Sequence, residues 1–201
     1  MNHPLIQHVT RLAEASIPAI RVMAGNIQVK ICDDAAQVAI EAAAMFDELI
    51  RATPESVIGL ATGSTPEATY AEMARRHRED GLSLAGVSSF NLDEYWGLGG
   101  DHDQSYRYFM HENLFKHVDI LPFNTHVLNG KARFPQLECE GFEQRILAAG
   151  GIDMWLLGIG GNGHIAFNEP GSGVDSRTRL VSLTQETIES NSDGRFFSDA
   201  S

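Results

Sequence analysis

Three short stretches hold residue types that do proton and phosphate chemistry. In Phe90-Asn91-Leu92-Asp93-Glu94-Tyr95 two adjacent carboxylates close a strand-like run. A carboxylate at a strand end is a candidate general base. Successive side chains of an extended chain point to opposite sides, so only one of Asp93 and Glu94 can aim at a given site. In the glycine-rich run 158–171, the small neighbours of His164 would leave its ring open to a ligand, and Glu169 follows five positions later. A histidine and a carboxylate brought together by a loop make a proton-transfer pair. In Thr62-Gly63-Ser64-Thr65-Pro66, small residues let the backbone approach a ligand, and a following helix would present free N–H groups to a phosphate. Each stretch also has a plainer reading: a solvated acidic turn, a surface histidine, an ordinary capped turn.

Residues 158–163 match GxGxxG, the dinucleotide fingerprint. That fingerprint needs a helix opening at the loop to carry the pyrophosphate. Here Pro170 and Gly171 arrive too soon after Gly163 for such a helix, so a nicotinamide site is rejected. His102, Asp101, Asp103 and His164 offer metal-binding side chains but no ligand spacing such as HExxH, so no metal and no organic cofactor are expected.

The elements that would position these stretches follow from periodicity and punctuation. Residues 5–23 suit a helix interrupted at Pro18, and 1–26 read as an N-terminal helical extension. A strand is expected over 27–32, then a helix over 35–52 capped by Asp33 or Asp34, with Val38, Met45, Phe46 and Leu49 on one stripe. Further strands fall at 56–61, 87–91, 152–157 and 179–183. Helices fall at 66–77, with Thr65 as cap and Pro66 in the first turn, at 104–117 and at 135–149, and a last short helix is capped by Thr184. Strands alternating with helices predict an α/β fold: a three-layer α/β/α, doubly wound, mostly parallel Rossmann-like sheet over 27–201. Ligands in such sheets bind at the carboxyl ends of the strands, which is where the three stretches lie.

Composition narrows the function classes. The chain has 201 residues and a net charge of −12, with 15 basic against 27 acidic side chains, which argues against a bulk nucleic-acid binder. No uncharged run reaches the ~18 residues of a membrane span. Arg11, Glu14 and Arg21 interrupt any secretory signal. Cys32 and Cys139 follow no CxxC pattern and read as packing residues of a reducing compartment, so the expectation is a cytoplasmic protein.

Taken together and in this order, 59–66, 90–95, Gln104-Ser105-Tyr106, 158–170 and 191–197 resemble the glucosamine-6-phosphate deaminase/isomerase family. The resemblance covers about residues 27–197. It implies an amino-sugar phosphate as the small-molecule partner, conversion of glucosamine 6-phosphate to fructose 6-phosphate and ammonia, and no cofactor, nucleic acid or membrane. Some members form homo-oligomers. Asp93 would take the C2 proton, and His164 would assist ring opening with Glu169 and Asn162 behind it. Thr62, Gly63, Ser64 and Thr65, with Arg195, would hold the phosphate, and Gly160, Gly163 and Ala166 would line the pocket. Where some relatives have an aspartate, Asn162 is neutral, so Glu169 is expected to be the only negative charge beside His164.

Family members continue past the Arg195 segment through further strand and helix elements. An uncovered sheet edge or apolar face is therefore expected toward the C-terminal end. The competing readings are a non-catalytic sugar-phosphate-binding remnant, a galactosamine-6-phosphate isomerase and a 6-phosphogluconolactonase.

Overall fold

Residues 20–24 and 27–192 are described by the structure, a computed structural model. Expectations that fall on 1–19 or 193–201, including most of the N-terminal helix and Arg195, lie outside the described residues. Where the expected first helix reaches Ile20, the chain is a strand instead. β1 (Ile20–Ala24) pairs antiparallel with β2 (Ile27–Ile31) in a sheet of their own. The expected strand at 27–32 thus forms, but outside the parallel sheet, and all five of its residues are exposed. Its ladder bonds are taken up by the segment just before it, so it does not need the main sheet.

α1 (Ala35–Ala52) begins where Asp34 Oδ1 accepts the Gln37 N–H at 2.8 Å, one of the donors that no helix satisfies internally. Its buried stripe is Ala39, Ala43, Phe46 and Ile50; Val38 and Met45, expected inside, are exposed. The two buried alanines let α2 (Glu67–Asp80) come close. On α2, Tyr70 and Met73 pack into the same core as Phe46 and Ile50.

The main sheet has the order β5-β4-β3-β6 and every pair is parallel: β3 (Val57–Leu60), β4 (Ser88–Asn91), β5 (Thr125–His126) and β6 (Met154–Trp155). All four residues of β3 are buried, as befits a strand covered on both faces. Ile58 and Leu60 point to the α1–α2 core, which α3 (Tyr106–Asn113) completes with Met110. Val57 points the other way, to Phe90 and to Phe142 of α4 (Pro135–Ala148). The expected α/β/α layering is present.

Local departures have local causes. The expected helix over 104–117 breaks at Leu114 (φ −136°) into α3 and a 3-10 turn, Phe115–His117. β5, two residues long, is a strand that no alternation announces. The strand expected at 179–183 does not form: the segment is extended but has no ladder partner among the described residues, and Leu180 is exposed. Thr184 does open α5 (Gln185–Ser192), its Oγ1 accepting from Thr187 N. Among the described residues β6 pairs on one side only, and Leu157 and Ile159 just after it are exposed, as is Val38.

The β3–β6 junction is tight. Val57 N donates to Asp153 Oδ2 and Asp153 N to Val57 O, both at 2.8 Å. Opposite Trp155, Gly59 has no side chain because none fits: a Cβ there would lie 1.7 Å from Trp155 Cε3. Gly59→Ala should therefore lower unfolding stability by about 1–3 kcal/mol in urea denaturation, the usual range for overpacking. Pairing it with Trp155→Leu should recover most of the loss. Equal midpoints for parent and Gly59→Ala would show that the indole yields freely.

Candidate active site

The loop after β3 is held from both sides. The Tyr70 hydroxyl donates to Ala61 O at 2.5 Å, and Asn91 Nδ2 donates to Leu60 O at 3.2 Å. The chain then turns at Gly63 (φ +98°), a backbone state that glycine adopts without steric cost. Pro66, rather than the expected Thr65, occupies the cap position of α2, and it supplies no side-chain acceptor to the first turn. The N–H groups of that turn are therefore not claimed by a cap, which suits an anion.

Thr62, Gly63, Thr65 and Pro66 form one wall of a cavity of about 420 Å³. Asp93 and Tyr106 line the same cavity, as do Gly160, His164, Ala166 and Phe167. Leu92, Asp93, Ala166 and Phe167 also line a second cavity of about 550 Å³, shared with Glu143, Arg177 and Arg179.

The two adjacent carboxylates, both in the loop after β4, part company. Asp93 turns into the cavity. Part of its surface faces that open space, but its carboxyl lies deep, and burial with the charge of Glu94 raises its pKa to about 7. Glu94 turns away to the start of α3. Its Oε1 accepts from Tyr95 N (2.8 Å) and Tyr106 N (3.0 Å), and its Oε2 from Ser105 Oγ (2.8 Å) and Arg107 N (3.1 Å). Phe167 packs against the rings of Tyr95 and Tyr106, with centroids 5.2 and 5.8 Å away.

The glycine loop follows β6 as a series of turns, and α5 does not open until Gln185, so no helix N-terminus faces the GxGxxG run. Gly160 N donates to His164 O, and Gly163 N to Gly160 O. A Cβ on Gly160 would lie 2.2 Å from the His164 ring, so only glycine admits the imidazole there. Ala166 has φ +52°, a left-handed state uncommon for a residue with a side chain, and it stands in the wall between the two cavities.

Behind His164 the polar groups form a directed chain. Asn162 Nδ2 donates to Glu169 Oε2 at 2.9 Å, and His164 Nδ1 lies 2.8 Å from Asn162 Oδ1. A carboxylate only accepts, so the Asn162 amide must turn its NH₂ to Glu169 and its oxygen to the ring. An oxygen acceptor at Nδ1 places the proton there and leaves Nε2 as the basic nitrogen. Glu169 itself is 3.8 Å from Nδ1, beyond hydrogen-bond reach. The direct His164–Glu169 support expected from sequence is thus relayed through Asn162. Glu169 is held at a pKa of about 2, first by the Thr187 hydroxyl and then by Asn162 and Thr184.

Of the expected site residues, Thr62, Gly63, Thr65, Asp93, Gly160, His164 and Ala166 meet on one cavity. Asn162 and Glu169 stand behind His164, and Ser64 and Gly163 do not line the cavity. Among the described residues no group of three or more His, Cys, Asp or Glu side chains comes together to hold a metal, and no helix is long and apolar enough to cross a membrane. Sequence reasoning missed Tyr106, Thr187 and the destination of Glu94. The Ser105-Tyr106 pair was noticed only as part of the resemblance.

Residues 32–192 match the family of glucosamine-6-phosphate isomerases and 6-phosphogluconolactonases. The chain is 56% identical over 172 residues to glucosamine-6-phosphate deaminase 1 of Giardia intestinalis, covering 86% of this chain and 63% of that protein. It is 52% identical over 173 residues to the glucosamine-6-phosphate deaminase of Shewanella woodyi, covering 86% and 65%. The chain therefore spans just under two thirds of the length of these relatives. A solved monomeric glucosamine-6-phosphate deaminase superposes with a TM-score of 0.79 at 40% identity, over 80% of this chain and 67% of that one. A 6-phosphogluconolactonase from Thermotoga maritima, at 23% identity and a TM-score of 0.59 over 73% and 66%, shares the fold. By the match over 32–192, the relatives' identities and the common sheet, this chain belongs to the glucosamine-6-phosphate isomerase/6-phosphogluconolactonase family.

Proposed function

We propose that this chain carries the catalytic centre of a glucosamine-6-phosphate deaminase acting in amino-sugar catabolism, converting the amino-sugar phosphate and water to fructose 6-phosphate and ammonia. The observation that carries this reading is the pairing, across one cavity, of a carboxyl poised near neutrality with an imidazole whose Nε2 is left basic. Such a pair suits a sugar that must be opened and then deprotonated at carbon.

His164 Nε2 takes the anomeric hydroxyl proton and returns it to the ring oxygen as the C1–O5 bond breaks, exposing the aldehyde. Asp93 then removes the C2 proton, made acidic by that carbonyl, the substrate's own ammonium gives a proton to O1 to form the enolamine, and the same carboxylic acid delivers its proton to C1. The resulting C2 imine is hydrolysed by water and ammonia leaves. The turn at 62–66 and the first N–H groups of α2 receive the phosphate, with Arg195 as the cation the family resemblance supplies. Lactone hydrolysis has no carbon acid to deprotonate and would leave Asp93 without a task. An intracellular sugar phosphate as substrate and two unpaired cysteines support a cytoplasmic place for the protein.

The test is ammonia release from glucosamine 6-phosphate. Asp93→Asn should abolish it, lowering kcat by a factor on the order of 10² to 10⁴. In the parent, kcat/KM should fall as the pH drops below about 7, where Asp93 takes up a proton. The folded pKa lies above the ordinary value of 3.8, so stability is lost as pH rises from about 4 to about 7. Asp93→Asn should then melt above the parent at pH 8. Lactone hydrolysis without ammonia would overturn the reading.

Glu169→Gln removes the charge and replaces one of the two oxygens that accept from Asn162 and Thr184 with an NH₂ donor. It should lower turnover about 10- to 100-fold with little change in KM. A Glu169→Gln enzyme with the parent's rate would break the relay.

A further inference from the structure

We propose that Glu94 is a positioning residue for Asp93: clamped at the start of α3 by four donors, it fixes the direction of the neighbouring carboxyl and keeps an immobile negative charge beside it. The proposal rests on the reading of Asp93 as the base.

The geometry is unusually complete. The four bonds to the Glu94 carboxylate come from its own successor, Tyr95, and from three consecutive residues at the α3 start, Ser105, Tyr106 and Arg107. Two of them are first-turn N–H groups that the helix cannot satisfy internally, at the end of the helix that favours a negative charge. Ser105 Oγ in turn accepts from Arg107 N and Tyr108 N, so the clamp and the helix cap are one structure. A carboxylate bound at both oxygens cannot rotate. Asp93 is joined to Glu94 by a single peptide, so a clamp on Glu94 also holds the backbone from which Asp93 reaches the cavity.

The clamp also sets what Asp93 faces. Tyr106, whose N–H it binds, presents its hydroxyl to Tyr95 Oη at 3.2 Å and bonds the Thr62 side chain. One carboxylate thereby ties the base, the aromatic rings and the phosphate loop to a single helix start. The groups around Asp93 are Glu94 and Tyr95 on its own loop, Tyr106 from α3 and His164 from the glycine loop. Across the second cavity stand Glu143 from α4 and Arg177 and Arg179 from the segment before α5. Among these, Glu94 is the neighbour whose charge raises the Asp93 pKa, second to burial. Two adjacent carboxylates in different environments thus divide the labour, one titrating near the working pH and the other fixed.

The experiment compares the parent with Glu94→Gln and Glu94→Asp in the full chain. Asp93 is followed by ¹³C carboxyl NMR, assigned with Asp93→Asn, beside the pH profile of ammonia release. Glu94→Gln keeps the shape but removes the charge and sets an NH₂ against N–H donors. Its Asp93 midpoint should fall by about one pH unit, the acid limb of kcat/KM should move with it, and plateau kcat should drop about tenfold or more. Glu94→Asp keeps the charge but is one methylene short. Its midpoint should stay near the parent's while plateau kcat still drops. An unchanged Asp93 midpoint in Glu94→Gln, or parent-like plateau kcat in both variants, overturns the proposal. If Glu94→Gln does not fold, Glu94→Asp decides: parent-like kcat overturns the proposal, and lost kcat at an unmoved midpoint supports it. A parent that titrates Asp93 as described but releases no ammonia overturns the deaminase reading alone, and the NMR comparison still judges Glu94.

Discussion

The complete burial of β3 is the constraint from which the site hangs. A strand with neighbours on both sides and helices on both faces has no freedom to shift, and its two directions of side chain divide the core in two. At its carboxyl end, Tyr70 and Asn91 take up the carbonyls of Ala61 and Leu60, groups that would cost about 1–3 kcal/mol each if buried without a partner. The loop after β3 is therefore anchored by hydrogen bonds made inside the core, and its residues are free to be small.

The polar groups around the cavity are held by a second device, carboxylates set against helix starts. Asp34 caps α1, Glu94 binds the first turn of α3, and Glu169 meets Thr184 and Thr187 at the start of α5. None of the three lines the first cavity, although Ala35, next to Asp34, does; Glu94 and Glu169 stand behind Asp93 and His164, which do. Each orients a neighbour: Glu94 the adjacent Asp93, Glu169 the amide that orients His164. Negative charge at these positions is favoured by the helix and bonded by donors that would otherwise be orphaned. An acidic chain can thus hold several carboxylates near the cavity while turning them away from it.

Much of this was legible in the residues. The limits of α1 follow from Asp34 before it and Pro54 after it, whereas α2 runs three residues beyond the expected end at 77 and stops at Gly81 in the left-handed state. That only one of Asp93 and Glu94 faces the cavity was expected from alternation, but both lie in the loop beyond β4, and the donors at the start of α3 are what draw Glu94 away. What was illegible depends on partners far along the chain. Val38 and Met45 look as apolar as Phe46, and only the approach of α2 selects the alanine face. Residues 179–183 have a strand's composition but no neighbour to bond. Glu169 lies close enough in sequence to His164 to invite a direct contact, and only the loop's turns put Asn162 between them. Thr187 carries no signal at all, since a threonine on a polar helix is ordinary until a carboxylate is found against it.

The indole lying on Gly59 sets a tolerance for the whole centre. β6 has two residues, too few for a ladder to fix its own alignment, and it leads directly into the loop that carries His164. A slip of one residue would carry the loop about 3.3 Å along the strand and turn Trp155 to the opposite face. The one place on β3 without a side chain accepts the largest side chain of β6 and no other alignment. The relative placing of Asp93, after β4, and His164, after β6, is thus gauged by a single missing methyl group.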